Sequence, residues 1–340
     1  IVSLAAQCGW MLMHMDVKVA FLNGHITEVA YVRQPLGFVK PSSKHYVYQL
    51  RKALNGLRQS PRAWNARLDT FLHTLSLTQS CADPSLYVYI DPDGMVLLII
   101  YVDDLLLTGS HPTKFQCLAT RLQSEFQTSM LRLLAMNLGV TFHYELAGIL
   151  MSHSRCIHRC LDDLGLLTSL ITAVPLAHLE VAIHVFCYLE GTTDLAILYR
   201  KGEKVIPSGY SNSDFQGEPD ARRLTSGYIF SIGSRPVSWS SKLQVEIAQS
   251  SSEVEYRACI EAAKEALWLH NLFDDIDWEC HFIRHQFKEE RIKLVFIRSQ
   301  YQMADINTKA FPKPRFLELC DALQLTALED LRHRRSKTKF

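Results

Sequence analysis

The stretch that most constrains this chain is "MVLLIIYVDDLLLTGS", residues 95–110. So dense a run of Val, Leu and Ile belongs inside a protein, yet Asp103 and Asp104 stand side by side within it. Adjacent carboxylates repel each other, and each is costly to take out of water. Either the pair sits on a bend that reaches solvent, or a cation compensates it. Pro92-Asp93-Gly94, just upstream, is a turn signal. Residues 85–90 and 95–108 therefore read as strands, and the apolar flanks of the acids as the two arms of a hairpin.

A length of 340 residues suggests about two domains. At 48% hydrophobic residues the chain can bury a sizeable core, and a formal net charge of +1 favours no polyanionic partner in bulk. Any nucleic-acid contact has to come from local patches. Nine cysteines, odd in number and irregular in spacing, imply no disulfide framework and fit a reducing compartment. The opening "IVSLAAQCGWMLMHM" lacks a basic leader and a cleavage site and reads as core. No apolar run is long enough for a membrane span.

Along the chain, residues 1–15 read as a helix leading into a strand, and Asn23-Gly24 and Asn55-Gly56 as turns. In "SPRAWNARLDTFLHTL", Ser60 is the expected N-cap and Pro61 the first helical residue. Trp64, Leu68, Phe71, Leu72 and Leu75 follow at helical spacing. Residues 111–130 read as a helix. Residues 131–190 give no long element. Strand character returns at "GTTDLAILYR" and continues through 226–242. A helix is expected over 252–272, with Ser252 and Glu255 as a capping box. A strand at 292–299 and a helical segment near 303–323 precede a basic tail at 332–339, expected to be disordered. Trp10, His14 and Trp64 read as core or near-core residues.

Asp16 also ends an apolar stretch, in "MHMDVKVAFLNG". If its strand neighbours the hairpin, Asp16, Asp103 and Asp104 converge on one edge. Three acids together are unfavourable alone and favourable around hard divalent cations with oxygen ligands. Two such ions serve in-line phosphoryl transfer, one activating the attacking hydroxyl and one steadying the leaving group. The plainer alternative is structural: two acids capping a hairpin tip and a third capping a helix.

Four segments, "MDVKVAFLNG", "LRKALNGLRQSPRAWNARLDTFL", "CADPSLYVY" and "LLIIYVDDLLLTGS", resemble in order and spacing the reverse transcriptase motifs of copia-type LTR retrotransposons. The resemblance implies an α+β fold: a palm of antiparallel sheet backed by helices over 1–130, copying RNA into DNA with Mg2+. It makes Asp16 and Asp103 metal ligands and Asp104 a supporting acid. It places Phe21 beneath the sugar of the incoming nucleotide, where a ring excludes a ribose 2′-hydroxyl; the alternative is an ordinary core Phe. It assigns Asn55, Gly56, Arg58, Gln59 and Ser60 to template and nucleotide binding, with Arg58 and Arg62 as phosphate contacts. The family's usual Tyr is replaced by Asn55. The implied partners are an RNA template, a DNA primer and deoxynucleoside triphosphates, with no membrane, and a dimer or other Pol segments beside them. The implied location is cytoplasmic, within a virus-like particle.

The second half resembles the ribonuclease H region of the same polyproteins, through "GYSNSDFQGEPDARRLTSGYIFSIGSRPVSWSSKLQ", "AQSSSEVEYRACIEAAKEALWLHNLF" and "SQYQMADINTKAF". That implies an incomplete α/β domain over 201–325, after a shortened connection at 131–200 and before the tail at 326–340. Glu255 and Asp305 match two of the four metal-binding acids. Asn212 stands where the first strand carries Asp, Asp214 lies two residues on, and the acid after the long helix is missing. Each lost carboxylate removes a unit charge from a cation site. The resemblance thus leaves two readings open: an RNA-directed DNA polymerase whose ribonuclease activity is lost, or an inactive remnant that binds nucleic acid weakly. "HSRCIHRC" gathers His153, Cys156, His158 and Cys160, but zinc sites usually pair two such clusters.

Overall fold

The computed structural model describes residues 1–39, 41–43, 45–167, 176–203, 207–214, 224–244, 250–277 and 295–328. They form two compact units. One comprises Met11–Leu133 with Leu272–Asp277. The other comprises Ile1–Trp10, which holds helix α1 (Val2–Cys8), with Leu134–Asn271 and the described residues of Trp278–Phe340.

The Met11–Leu133 unit is built on β1 (Met13–Asp16), the ribbon strands β2 (Tyr31–Arg33) and β3 (Val47–Gln49), β4 (Thr78–Gln79), β5 (Leu86–Asp91), β6 (Gly94–Tyr101), β7 (Asp104–Gly109) and β8 (Arg132–Leu133). Six of them form one antiparallel sheet in the order β4-β5-β6-β7-β1-β8. Helices α2 (Ser60–Thr74) and α3 (Pro112–Glu125) supply Trp64, Leu68, Phe71, Leu72, Leu118 and Leu122 to a core shared with Met15, Leu98, Leu105 and Leu107. Trp64 and Phe71 each meet the ring of Phe126 edge-on at 5.2 Å. Because side chains alternate along a strand, Met15 and Leu105 face these helices while Asp16 and Asp104 face the other way. The expected hairpins, helix and antiparallel sheet are present here.

The start of α2 differs from expectation. Gln59 occupies the cap position without a side-chain cap bond, and Ser60 is already the first helical residue. Ser60 is fully buried, and its hydroxyl donates to the Leu54 carbonyl. It ties the preceding turn to the helix instead of capping free N–H groups.

The other unit carries β9 (Met136–Asn137), β10 (Val140–Glu145), β11 (Gly148–Ser152), α4 (Ser154–Leu167), α5 (Leu176–Gly191), β12 (Leu195–Arg200), β13 (Pro207–Asp214), β14 (Thr225–Ile232), β15 (Arg235–Leu243), α6 (Ser251–Asp275, its end in the first unit), α7 (Lys313–Ala322) and β16 (Leu325–Ala327). One sheet has the order β16-β12-β11-β10-β9 and a second the order β13-β14-β15, both antiparallel. Two helices therefore lie in 131–190, where no long element was expected. Residues 295–298 are irregular and run into a 3-10 turn at Ser299–Tyr301, so the strand expected at 292–299 does not form over its described part. Residues 292–294 and the tail at 332–339 lie outside the described residues. The helical segment near 303–323 is split into a 3-10 turn, Met303–Asn307, and α7.

Candidate active site

The hairpin of β6 and β7 closes with Tyr101 opposite Asp104, leaving Val102 and Asp103 as the connecting residues. Val102 has a left-handed backbone (φ 56°). This is a position for glycine in a two-residue hairpin, and a β-branched residue there is strained. Two bonds hold it. The indole Nε1 of buried Trp64 donates to the Val102 carbonyl at 2.6 Å, and the Val17 N–H donates to the Asp103 carbonyl at 2.8 Å. Trp64 is thus both a core residue and the clamp on the tip.

β1 pairs with β7 in the register Met15 opposite Leu105 and Asp16 opposite Asp104. The three acids meet at one end of the sheet, with Asp103 exposed at the tip and Asp16 and Asp104 half-buried. The Asp16 N–H donates to Ser129 Oγ at 2.9 Å, and the Ser129 N–H donates back to the Asp16 carbonyl at 2.8 Å. His14 is buried, as expected of a core residue, but its Nε2 lies 2.6 Å from Asp104 Oδ1. The available signal was its place two residues before Asp16 on the same strand face.

Phe21 lies in a 3-10 turn, Ala20–Asn23, half-buried against the helix-backed core. Gly24 follows, and a side chain there would press on the backbone of Ala63 and Trp64 at 2.8 Å. Asn55 and Gly56 form an exposed turn, with Gly56 at φ 91°. Arg58 and Arg62 are exposed and Gln59 is half-buried. Ser60 and Trp64 are one helical turn apart, so the Trp64–Val102 bond brings the start of α2 to the hairpin tip.

Three carboxylates are the right donors for a hard divalent cation. Among the described residues, however, the trio whose ligand atoms lie within 4.8 Å of one another is Asp91, Asp93 and His111. Asp16, Asp103 and Asp104 are not drawn that close. Within this trio Asp91 and His111 already have partners. Asp91 accepts from the Tyr89 hydroxyl (2.8 Å), the N–H groups of Asp93 (2.9 Å) and Gly94 (3.1 Å), and pairs with His111 Nε2 (3.3 Å). The Tyr89 hydroxyl above all holds its carboxyl below the ordinary range, against an opposing push from desolvation. His111 Nδ1 accepts the Lys114 N–H at the start of α3. Asp91 and His111 close a hairpin turn and cap a helix, and the oxygens of Asp91 are spoken for.

A second gathering of polar groups lies on β13. Asn212 donates its amide N–H to Asp305 Oδ1, and Lys309 Nζ lies 3.7 Å from the same oxygen. Asp305 is 7% exposed, in the 3-10 turn Met303–Asn307. Lys309, four residues on, had not been singled out. Asp214 follows Asn212 on the same strand face, opposite Thr225. Glu255 is not the capping residue. The helix begins at Ser251, and the Glu253 N–H donates to Ser250 Oγ, which moves the cap two residues upstream. Glu255 instead turns its carboxyl to Ser213. The residue is largely exposed, but desolvation at that contact raises its carboxyl above the ordinary value, hydrogen bonds from Ser213 oppose this, and Asp305 adds a smaller upward push that Lys309 offsets. His153, Cys156, His158 and Cys160 do not form a metal-sized cluster; α4 begins at Ser154 and spreads the last three around its turns.

The family model for reverse transcriptase (RNA-dependent DNA polymerase) matches residues 1–178. The chain is 26% identical to the retrovirus-related Pol polyprotein from transposon RE1 of Arabidopsis thaliana, over 96% of this chain and 28% of the relative. It is 26% identical to the Pol polyprotein from transposon TNT 1-94 of Nicotiana tabacum, over 95% of this chain and 31% of the relative. The chain therefore spans less than a third of these relatives. The RE1 match runs over 412 positions against a chain of 340 residues, so the relative carries segments inside the matched span that this chain lacks. With its acids at a hairpin tip of an antiparallel sheet and this match over half its length, the chain belongs to the reverse transcriptase family and is similar to copia-type Pol polyproteins along most of its length.

Proposed function

We propose that this chain is the RNA-directed DNA polymerase segment of a retrotransposon Pol polyprotein, acting at Asp16 and Asp103. The observation that carries the reading is the register of β1 with β7, which sets Asp16 opposite Asp104 beside the exposed tip residue Asp103. In the reaction, the 3′-oxygen of a primer bonds to the α-phosphorus of a deoxynucleoside triphosphate. The bond from that phosphorus to its bridging oxygen breaks, pyrophosphate leaves, and the hydroxyl proton passes to solvent. Asp16 and Asp103 would hold Mg2+, which when bound neutralises phosphate charge and eases loss of that proton. Asp104, gripped by His14, supports the pair. Phe21 sits under the sugar and disfavours a 2′-hydroxyl. Asn55, Gly56, Gln59 and Ser60 line the nucleotide side, and Arg58 and Arg62 meet phosphates. An RNA template, a DNA primer and other Pol segments within an intracellular particle are the partners this reading requires.

The test is primer extension on an RNA template by the purified chain with Mg2+. Extension that Asp103→Asn abolishes supports the reading; absence of extension by the unaltered chain refutes it.

For the region around β13 the reading is different: a ribonuclease H-like segment that has lost metal-dependent cleavage. Asn212 and Lys309 both spend their charge or dipole on Asp305, so a cation there meets a site already neutralised. Cleavage of an RNA–DNA hybrid by the chain would overturn this.

A further inference from the structure

Charge is unevenly distributed along the chain. Between Glu28 and Asp69 there is no Asp or Glu, while the same span holds eight Lys and Arg residues. For a chain of net charge +1 this is a strong local excess. The span contains the two-stranded ribbon of β2 and β3, which pairs with no other strand among the described residues. Its register sets Tyr31 opposite Gln49, Val32 opposite Tyr48 and Arg33 opposite Val47. Gln34 donates its side-chain amide to the Tyr46 carbonyl at 2.9 Å, which continues the pairing one step beyond the strands.

Tyr46 and Tyr48 therefore share one face of the ribbon, about 7 Å apart along the strand. They are 74% and 45% exposed, and Tyr31, beside Arg33 on the other face, is 62% exposed. Arg33, Arg51 and Lys52 are exposed too and make no ion pair with a described residue, whereas Arg67, at the far end of the span, is occupied by Glu125. The base of the ribbon is anchored: the Leu50 N–H donates to the Ala30 carbonyl and the Ala53 N–H to the Gly24 carbonyl, each within 2.9 Å. A fixed ribbon with spaced, solvent-facing phenol rings among unopposed cations matches an unpaired polyanion whose bases can stack.

We infer that the β2–β3 ribbon is a docking surface for single-stranded nucleic acid, with Tyr46 and Tyr48 as stacking platforms and Arg51 and Lys52, which follow them along the same chain segment, as phosphate contacts; Arg33, on the opposite face, adds only to the local positive field. The inference rests on the polymerase reading in taking the bound strand to be unpaired template. Its binding chemistry needs neither Mg2+ nor turnover.

The test measures fluorescence anisotropy of a labelled single-stranded RNA oligonucleotide of mixed sequence, with the full chain carrying Asp103→Asn, in EDTA and over a salt series. Replacing Tyr46 and Tyr48 together by Ala is expected to weaken binding about ten-fold or more. Lys52→Gln is expected to flatten the log–log salt slope by about 0.7, one phosphate contact on a single strand. Circular dichroism of each variant is expected to match that of the parent, since these side chains face solvent. Unchanged affinity and slope in the variants would overturn the inference, as would no RNA binding by the parent. So would sedimentation showing a dimer that the tyrosine substitutions dissolve, which would make the ribbon a protein contact. Because the assay excludes catalysis, failure of primer extension with ribbon-dependent binding intact would sink the polymerase reading alone.

Discussion

At the hairpin tip, Asp103 projects into solvent, and among the described residues only one oxygen of the neighbouring Asp104 is held, by His14. Beside β13, Asp305 is almost wholly enclosed, and Asn212 and Lys309 both reach the same oxygen. Both places collect acids from separated parts of the sequence. They differ in what answers the negative charge. The tip leaves carboxylate oxygens open to a mobile cation, and the β13 cluster supplies fixed partners from the chain. A buried carboxylate with a lysine and an amide on it has little to gain from a metal ion, because displacing those partners costs what the ion would give. The contrast shows that a count of acids is a weaker guide to a cation site than the donors already touching them.

The comparison can be broken in several ways. Asp103→Asn is expected to lower primer extension by more than about a hundred-fold, beyond the cost of altering an outer-shell partner of a metal. An equal fall from Asp305→Asn, measured the same way, would erase the distinction between the clusters. Trp64→Ala is expected to destabilise the chain by about 3–5 kcal/mol in urea unfolding, because the ring fills the core beside Phe126. Trp64→Phe keeps most of that packing and loses the bond to the Val102 carbonyl. It is expected to cost about 1 kcal/mol, with a larger proportional loss of extension than of stability. Asn212→Asp puts a second negative charge against Asp305. Without Mg2+ its Tm is expected to fall by a few degrees, corresponding to about 1 kcal/mol of repulsion, and millimolar Mg2+ is expected to recover part of the loss.

The smallest effect concerns Glu255. Its carboxyl is raised in the folded chain above the ordinary value of 4.5. A raised acid binds its proton more tightly folded than unfolded. Its contribution is therefore fully present below the unfolded value and is lost as pH rises through the folded one. Tm measured from pH 4 upward is expected to decline slightly less in Glu255→Gln than in the unaltered chain, and an identical profile would show that the Ser213 contact does not perturb the group.

Two successive hairpins were legible from different signals: β5–β6 from the turn tripeptide Pro92-Asp93-Gly94, and β6–β7 from the apolar arms flanking Asp103 and Asp104. Helix α2 was legible from Trp64, Leu68, Phe71 and Leu72, all of which are buried. Its cap was misjudged because Ser60 has the right chemistry one position too late. Pro61 fits the second helical position as well as the first, which shifts the frame by one. The cap of α6 failed in the same manner, since "SSSEVE" offers two Ser/Glu pairs at capping distance. Helix α5 was invisible to periodicity because "LAHLEVAIHVFCYLEG" is apolar on nearly every face. Helix α4 did carry a signal, Ile157, Leu161 and Leu164 at helical spacing, obscured by the His and Cys residues among them. The pairing of His14 with Asp104 and the place of Lys309 beside Asp305 were not legible, because the partners lie 90 residues away on the neighbouring strand and one turn back in a short 3-10 segment. Pairings of that kind are properties of the register, which local pattern does not contain.

The central claim is that a divalent cation is held at the hairpin tip and not at β13. Mn2+ binding, followed by electron paramagnetic resonance of the free ion during titration of the chain, tests it directly. The account predicts that saturable binding is lost in Asp103→Asn and unchanged in Asp305→Asn. Binding that survives Asp103→Asn and disappears in Asp305→Asn would contradict it.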